Sequence, residues 1–196
     1  MQVIKEADLF GRETTALSSI LPKIYSQLEE ASSSQLEPFS PKHFHSQSSP
    51  ELMVMEDLAE KGFRMAERST GLDMEHSLLV MKKIARCHAS SAVLHEKRPE
   101  VFHPVYESVY IEKFRHLFHN YFQIGFKRVA REVESWPDYK DCFASKLHNL
   151  ADKTTDTLME SLKRDDNEFN VFIHGDLWVN NMMFLYSEEG CVENVR

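Results

Sequence analysis

What most constrains this chain is where its helical and its extended periods fall. Apolar residues recur at steps of three and four through three long blocks, and the runs that read as strands lie only on either side of those blocks. After Gly71, Asp73 stands as a helix N-cap with Glu75 in the first turn. Met74, Leu78, Met81, Ala85, His88 and Ala92 then form a stripe that ends before Pro99. A second helix is expected from Val105 to Arg131 on Tyr110, Phe114, Leu117, Tyr121 and Ile124. A third is expected from Asp138 to Lys163 on Phe143, Leu147, Leu150, Thr154 and Leu158. Upstream, Leu9, Phe10, Leu17, Ile20, Leu21, Ile24 and Leu28 give a helix over 7–29 that Pro22 kinks or resets. "KHFHS" reads as a short strand and Leu52–Met55 as a buried one. Phe169–Ile173 and "MMFLY" read as strands on either side of a polar loop. Strands held apart by a helical block argue for an α+β chain, mainly helical, with two lobes, a cleft and a hinge near Glu56–Ala59.

Composition removes several classes of function. A net charge of -8 leaves no basic surface to displace the counterions of nucleic acid, although one anionic ligand can be neutralised locally by amides and a metal ion. Only six glycines argue against a turn-rich β-sandwich. Cys87, Cys142 and Cys191 are odd in number and lack any CxxC, which favours free thiols in a reducing, cytoplasmic setting. No run approaches the ~18 apolar residues of a membrane span, and the first residues lack the apolar core of a signal peptide. No membrane partner is expected.

Most candidate sites reduce to packing or solvation. Cys87 and His88 are helix neighbours pointing about 100° apart, so they form no nucleophile–base pair. His116 and His119 lack a carboxylate or thiolate to complete a metal site. His43 and His45, which would share a strand face, bind metal poorly as two imidazoles alone. "VFIHGDLWVNN" differs in kind. An apolar run delivers His174, Gly175 and Asp176, and Asn181 follows five residues later. One reading is an Asx-rich turn. The other is a phosphotransfer loop, in which a carboxylate accepts the proton of an attacking hydroxyl beside a hard oxygen ligand for magnesium. Four residue identities at fixed spacing stand above motif noise and favour the second.

"HGDLWVNNMMF" resembles the catalytic loop of the ecdysteroid kinase-like (CHK kinase-like) family, related to aminoglycoside and choline phosphotransferases. "LMVMEDLAEKGF" is similar to that family's hinge segment. "GLDMEHSLLVMKKIARCHASSAVL" is similar to the first helix of its large lobe, and "LFGRETTALSSILPKI" to its small-lobe helix. The resemblance implies a protein-kinase-like, two-lobe fold with residues 1–57 as a partial small lobe and 58–196 as the large lobe, incomplete at both ends. It implies ATP and magnesium, an alcohol acceptor of steroid-like type, Asp176 as catalytic base, Asn181 as magnesium ligand and His174 as a brace. Met55 would back the adenine pocket. The Glu56 carbonyl and Leu58 amide would read the adenine edge, leaving the Glu56 side chain indifferent. Glu13 would partner a phosphate-gripping lysine. No glycine-rich phosphate loop precedes Glu13, Lys5 stands too close to it, and no second metal-binding aspartate follows before Arg196. The chain as written is therefore expected to bind ATP weakly at best and to phosphorylate no ecdysteroid or simple alcohol detectably, and the competing expectation is a non-catalytic binding or regulatory module.

Overall fold

The computed structural model describes residues 7–31, 36–105, 115–163 and 165–196. Lys5, Tyr110 and Phe114 lie outside them, as does the side chain of Leu117. The chain is a mainly helical α+β protein, and it folds as two compact units: Met1–Leu9 with Val105–Asp165, and Phe10–Pro104 with Asp166–Arg196.

In the larger unit, α1 (Leu9–Thr15) runs through a π-helical turn, Ala16–Ile20, into α2 (Leu21–Ala31). The expected reset at Pro22 takes this form. Proline removes one N–H from the helical ladder, and the wider turn just before it closes with the Leu21 N–H on the Ala16 carbonyl. Ile20 and Ile24 are the buried anchors of this stretch.

α3 (Met74–Lys97) begins where the sequence places it, with the Asp73 carboxylate accepting the His76 N–H at 3.0 Å. Its buried face is not the expected one. Met74 is 72% exposed, and Leu78 and Met81 are exposed as well. The helix instead buries Val80, Lys83, Ser90, Ser91 and Leu94. Lys83 and Ser91 can face inward here because each finds a partner. Lys83 Nζ donates to the Pro38 carbonyl at 2.9 Å and to Asn194 Oδ1 at 2.6 Å, while burial lowers its pKa to about 8. Ser91 Oγ donates to the His88 carbonyl and accepts the Phe172 N–H at 2.9 Å.

α3 packs on an antiparallel sheet of β3 (Arg64–Met65), β4 (Met183–Tyr186) and β5 (Val192–Val195). Arg64 and Val195 flank Phe184, which is fully buried among Val80, Met182 and Val195. β1 (His43–Ser48) and β2 (Glu51–Met55) form a separate antiparallel pair in which His43 opposes Met55. The expectation of a buried β2 fails: Leu52 is 44% exposed, with Val54 and Met55 also exposed, because the two strands pair only with each other among the described residues. A bulge between His43 and His45 also separates the two imidazoles, leaving the first half-buried and the second exposed.

The other unit is a helical hairpin. α4 (Arg115–Val133) meets α5 (Ser145–Ser161) after a π-helical turn, Lys140–Ala144. Gln123 and Lys127 both reach Asp152, and Arg115 reaches Asp156, which fixes the helices antiparallel. Ala130 and Val133 are buried from α4, with Ala144, Ala151, Thr155 and Met159 buried from the α5 side. The stripes expected from apolar spacing are again displaced, for Tyr121 is 75% exposed and Ile124, Phe143 and Leu150 are exposed too. Among the described residues, alanines make up half of the buried positions of this pair. None of the described helices is long and apolar enough to cross a membrane.

Candidate active site

The loop begins at Val171–Ile173, which is irregular where a strand was expected. The Phe172 N–H is taken by Ser91 Oγ of α3, and its ring stands 6.1 Å from that of Phe102, so helix contacts rather than a ladder hold this segment. Gly175 then turns the chain at φ +82°, a left-handed conformation that side chains with a Cβ resist. The Asp176 N–H donates to His174 Nδ1 at 3.2 Å, so the imidazole spans the turn. A short 3-10 turn, Val179–Asn181, follows, with the Asn181 N–H on the Trp178 carbonyl, and leads straight into β4.

Asp176 and Asn181 are brought together. Asn181 Nδ2 donates at 2.9 Å to both the carbonyl and Oδ2 of Asp176. An ionised carboxylate only accepts, so the amide must present its nitrogen to it. The second carboxylate oxygen of Asp176 and Oδ1 of Asn181 carry no hydrogen bond among the described residues, and both side chains are exposed. One spot thus offers a proton acceptor and a neutral hard oxygen. Among the described residues no three His, Cys, Asp or Glu side chains converge on a metal position. A magnesium ion here would lean on water and the phosphates of a nucleotide, which suits its chemistry.

In the segment after β2, Met55 closes the strand and Leu58 is buried. The Glu56 carbonyl and the Leu58 N–H have no hydrogen-bond partner among the described residues, so a planar donor–acceptor edge could be read there. The Glu56 side chain, expected to be indifferent to nucleotide binding, is well partnered. Its carboxylate accepts the Lys42 N–H at 3.1 Å and ion-pairs with Lys61 and with Arg196 at 3.0 Å. The Lys61 ammonium, then the Lys42 N–H, hold its pKa below the ordinary glutamate value. Glu13 lies exposed on α1 and makes no ion pair among the described residues.

The model of the ecdysteroid kinase-like family matches residues 1–196, the whole chain. The chain belongs to that family. No curated protein and no solved structure matches it. Membership implies a kinase-like phosphotransferase at the level of the family.

This ecdysteroid kinase-like chain also holds a constellation that spacing alone did not reveal. His76 Nδ1 meets Asp73 Oδ1 at 2.7 Å, and Nε2 meets Tyr186 Oη at 3.0 Å, while the Arg64 guanidinium lies 4.1 Å above the tyrosine ring. These residues line an open depression of about 550 Å³ that includes neither Asp176 nor Asn181. The Asp–x–x–His spacing at a helix start is a readable signal. Tyr186, 110 positions away, is not.

If Asn181 is a magnesium ligand, Asn181→Ala removes that oxygen and the brace on Asp176 together. Magnesium-dependent ATP binding should weaken, and raising magnesium should restore part of it. A loss indifferent to magnesium, read by titration calorimetry at two magnesium concentrations, would take Asn181 out of that role.

Proposed function

We propose that this protein is a magnesium- and ATP-dependent small-molecule kinase that transfers the γ-phosphoryl group to an alcohol hydroxyl, with an ecdysteroid-like alcohol as acceptor. The observation that carries the reading is the pairing of Asp176 with Asn181 on one exposed loop. Asp176 accepts the proton of the attacking hydroxyl through its free oxygen. Asn181 keeps that carboxylate turned toward the acceptor, and His174 holds the turn that presents it. Magnesium, when bound, shields the phosphate charge. The Glu56 carbonyl and Leu58 N–H read the adenine edge, with Met55 behind it. Residues 1–57 serve as small lobe, 58–196 as large lobe, and Glu13 awaits the phosphate-gripping lysine. Free Cys87, Cys142 and Cys191 suit a reducing, cytoplasmic compartment.

The decisive experiment is transfer of labelled γ-phosphate to a panel of ecdysteroids and simple alcohols. Transfer that needs magnesium and a hydroxyl supports the reading, and neither transfer nor ATP binding would end it. Glu13, exposed and without an ion pair among the described residues, favours a second reading, a nucleotide-binding module without turnover. ATP binding with no transfer to any acceptor separates the two. Met55→Ala, which enlarges the space behind the adenine, should change ATP affinity by about 10-fold, the usual weight of a few methylenes in a pocket. An unchanged dissociation constant would place the adenine elsewhere.

A further inference from the structure

We propose that Glu56 is a positioning residue that ties the Glu56–Leu58 backbone to the strand pair carrying Asn181. The purpose assigned to it rests on the kinase reading above. The tie itself rests only on geometry. Glu56 and Arg196 stand 140 residues apart, meet at 3.0 Å and are each only 13% exposed. The same carboxylate oxygen accepts the Lys42 N–H, while the Glu56 N–H donates to the Lys42 carbonyl at 2.8 Å. One residue therefore fixes the β1–β2 end through backbone and side chain together.

Arg196 carries the other half. Its guanidinium lies over the Phe63 ring at 5.2 Å, so its direction is set by stacking. Its backbone exchanges two hydrogen bonds with Met183, at 2.8 and 2.9 Å. Met183 opens β4, two positions after Asn181. The route from the adenine edge to the cation-facing amide is thus carboxylate, guanidinium, strand pair, loop. Lys61 joins the same carboxylate from a side chain that is 53% exposed, where water screens the pair. Arg196 is the partner whose loss cuts the route, because it alone of the three donors is paired with Met183, whereas Lys61 and Lys42 hold the carboxylate from its own side.

Amide hydrogen exchange on the full 196-residue chain tests the tie without any nucleotide. Glu56→Gln should raise exchange at Met183 by about tenfold, with Leu94 on α3 unchanged and Lys61→Met without effect. Arg196→Gln should raise Met183 exchange in the same way, and the double variant should add nothing beyond either single one. If Glu56→Gln does not fold, Arg196→Gln alone decides. Met183 exchange unmoved, or an increase shared equally by Leu94, overturns the proposal. MgATP affinity measured on the same samples should drop by about tenfold in Glu56→Gln and stay constant in Lys61→Met, as expected of a lost preorganisation. Exchange that responds while MgATP never binds leaves the tie standing and sinks the kinase reading instead. Exchange and MgATP binding that both ignore Glu56 sink the tie alone.

Discussion

Asp176→Asn is expected to lower phosphoryl transfer by about 10²–10⁴-fold, the range by which a positioned general base accelerates such a step. The substitution separates chemistry from structure unusually well at this position. The new amide oxygen can still accept the bond from Asn181 Nδ2, which now meets Oδ2 at 2.9 Å, and the exposed side chain supports no core. The Asp176 N–H to His174 Nδ1 and the left-handed Gly175 are untouched, so the loop keeps its path. What disappears is the ability to take a proton. Unfolding midpoint and ATP affinity should therefore stay close to those of the parent while turnover collapses. An Asn variant that turns over within a few-fold of the parent would remove Asp176 from the mechanism. A variant that loses ATP affinity in proportion to rate would make it a nucleotide ligand instead.

The parts of this chain governed by local chemistry were legible in its sequence. The Asp73 cap, the reset before Pro22 and the run from Gly175 through Asn181 into β4 each depend on residues within a turn or two of one another. The faces of the helices were not legible, and the reason is specific. Counting apolar residues puts Met74, Leu78 and Met81 inward, yet α3 turns Lys83 and Ser91 inward. Those groups are satisfied by Pro38, Asn194 and Phe172, partners 45, 111 and 81 positions away. The same bond from Phe172 to Ser91 explains why Val171–Ile173 is no strand, since its backbone is held by a helix side chain. At Glu56 the sequence shows the backbone segment but not the three donors on its carboxylate, which depend on a fold that brings residue 196 beside residue 56.

Phe184→Ala should be the most damaging single substitution in the larger unit, costing about 3–5 kcal/mol as a fully buried aromatic cut back to a methyl. Phe184 is 0% exposed at the centre of β4. Its neighbours are Val80 of α3, Val195 of β5 and Met182 just before β4, and the His76 ring meets it edge-on at 4.8 Å. Strand pairing on both sides, with Arg64 and Val195 opposite, limits how far the backbone can collapse into the gap. For a chain of this size the loss corresponds to a melting point lower by about 6–20 °C. Leu52→Ala is the informative contrast. Sequence pattern alone ranks Leu52 as a core strand residue, but at 44% exposure on a two-stranded pair its truncation should cost about 1 kcal/mol or less. Urea unfolding of both variants compares the two directly. Equal losses would mean that β2 is covered in solution, and a small loss at Phe184 would mean that β4 does not pack on α3 as described. If both values fall as expected, the stable platform under Asp176 and Asn181 is the α3–β4–β5 core, and the loop owes its geometry to that core.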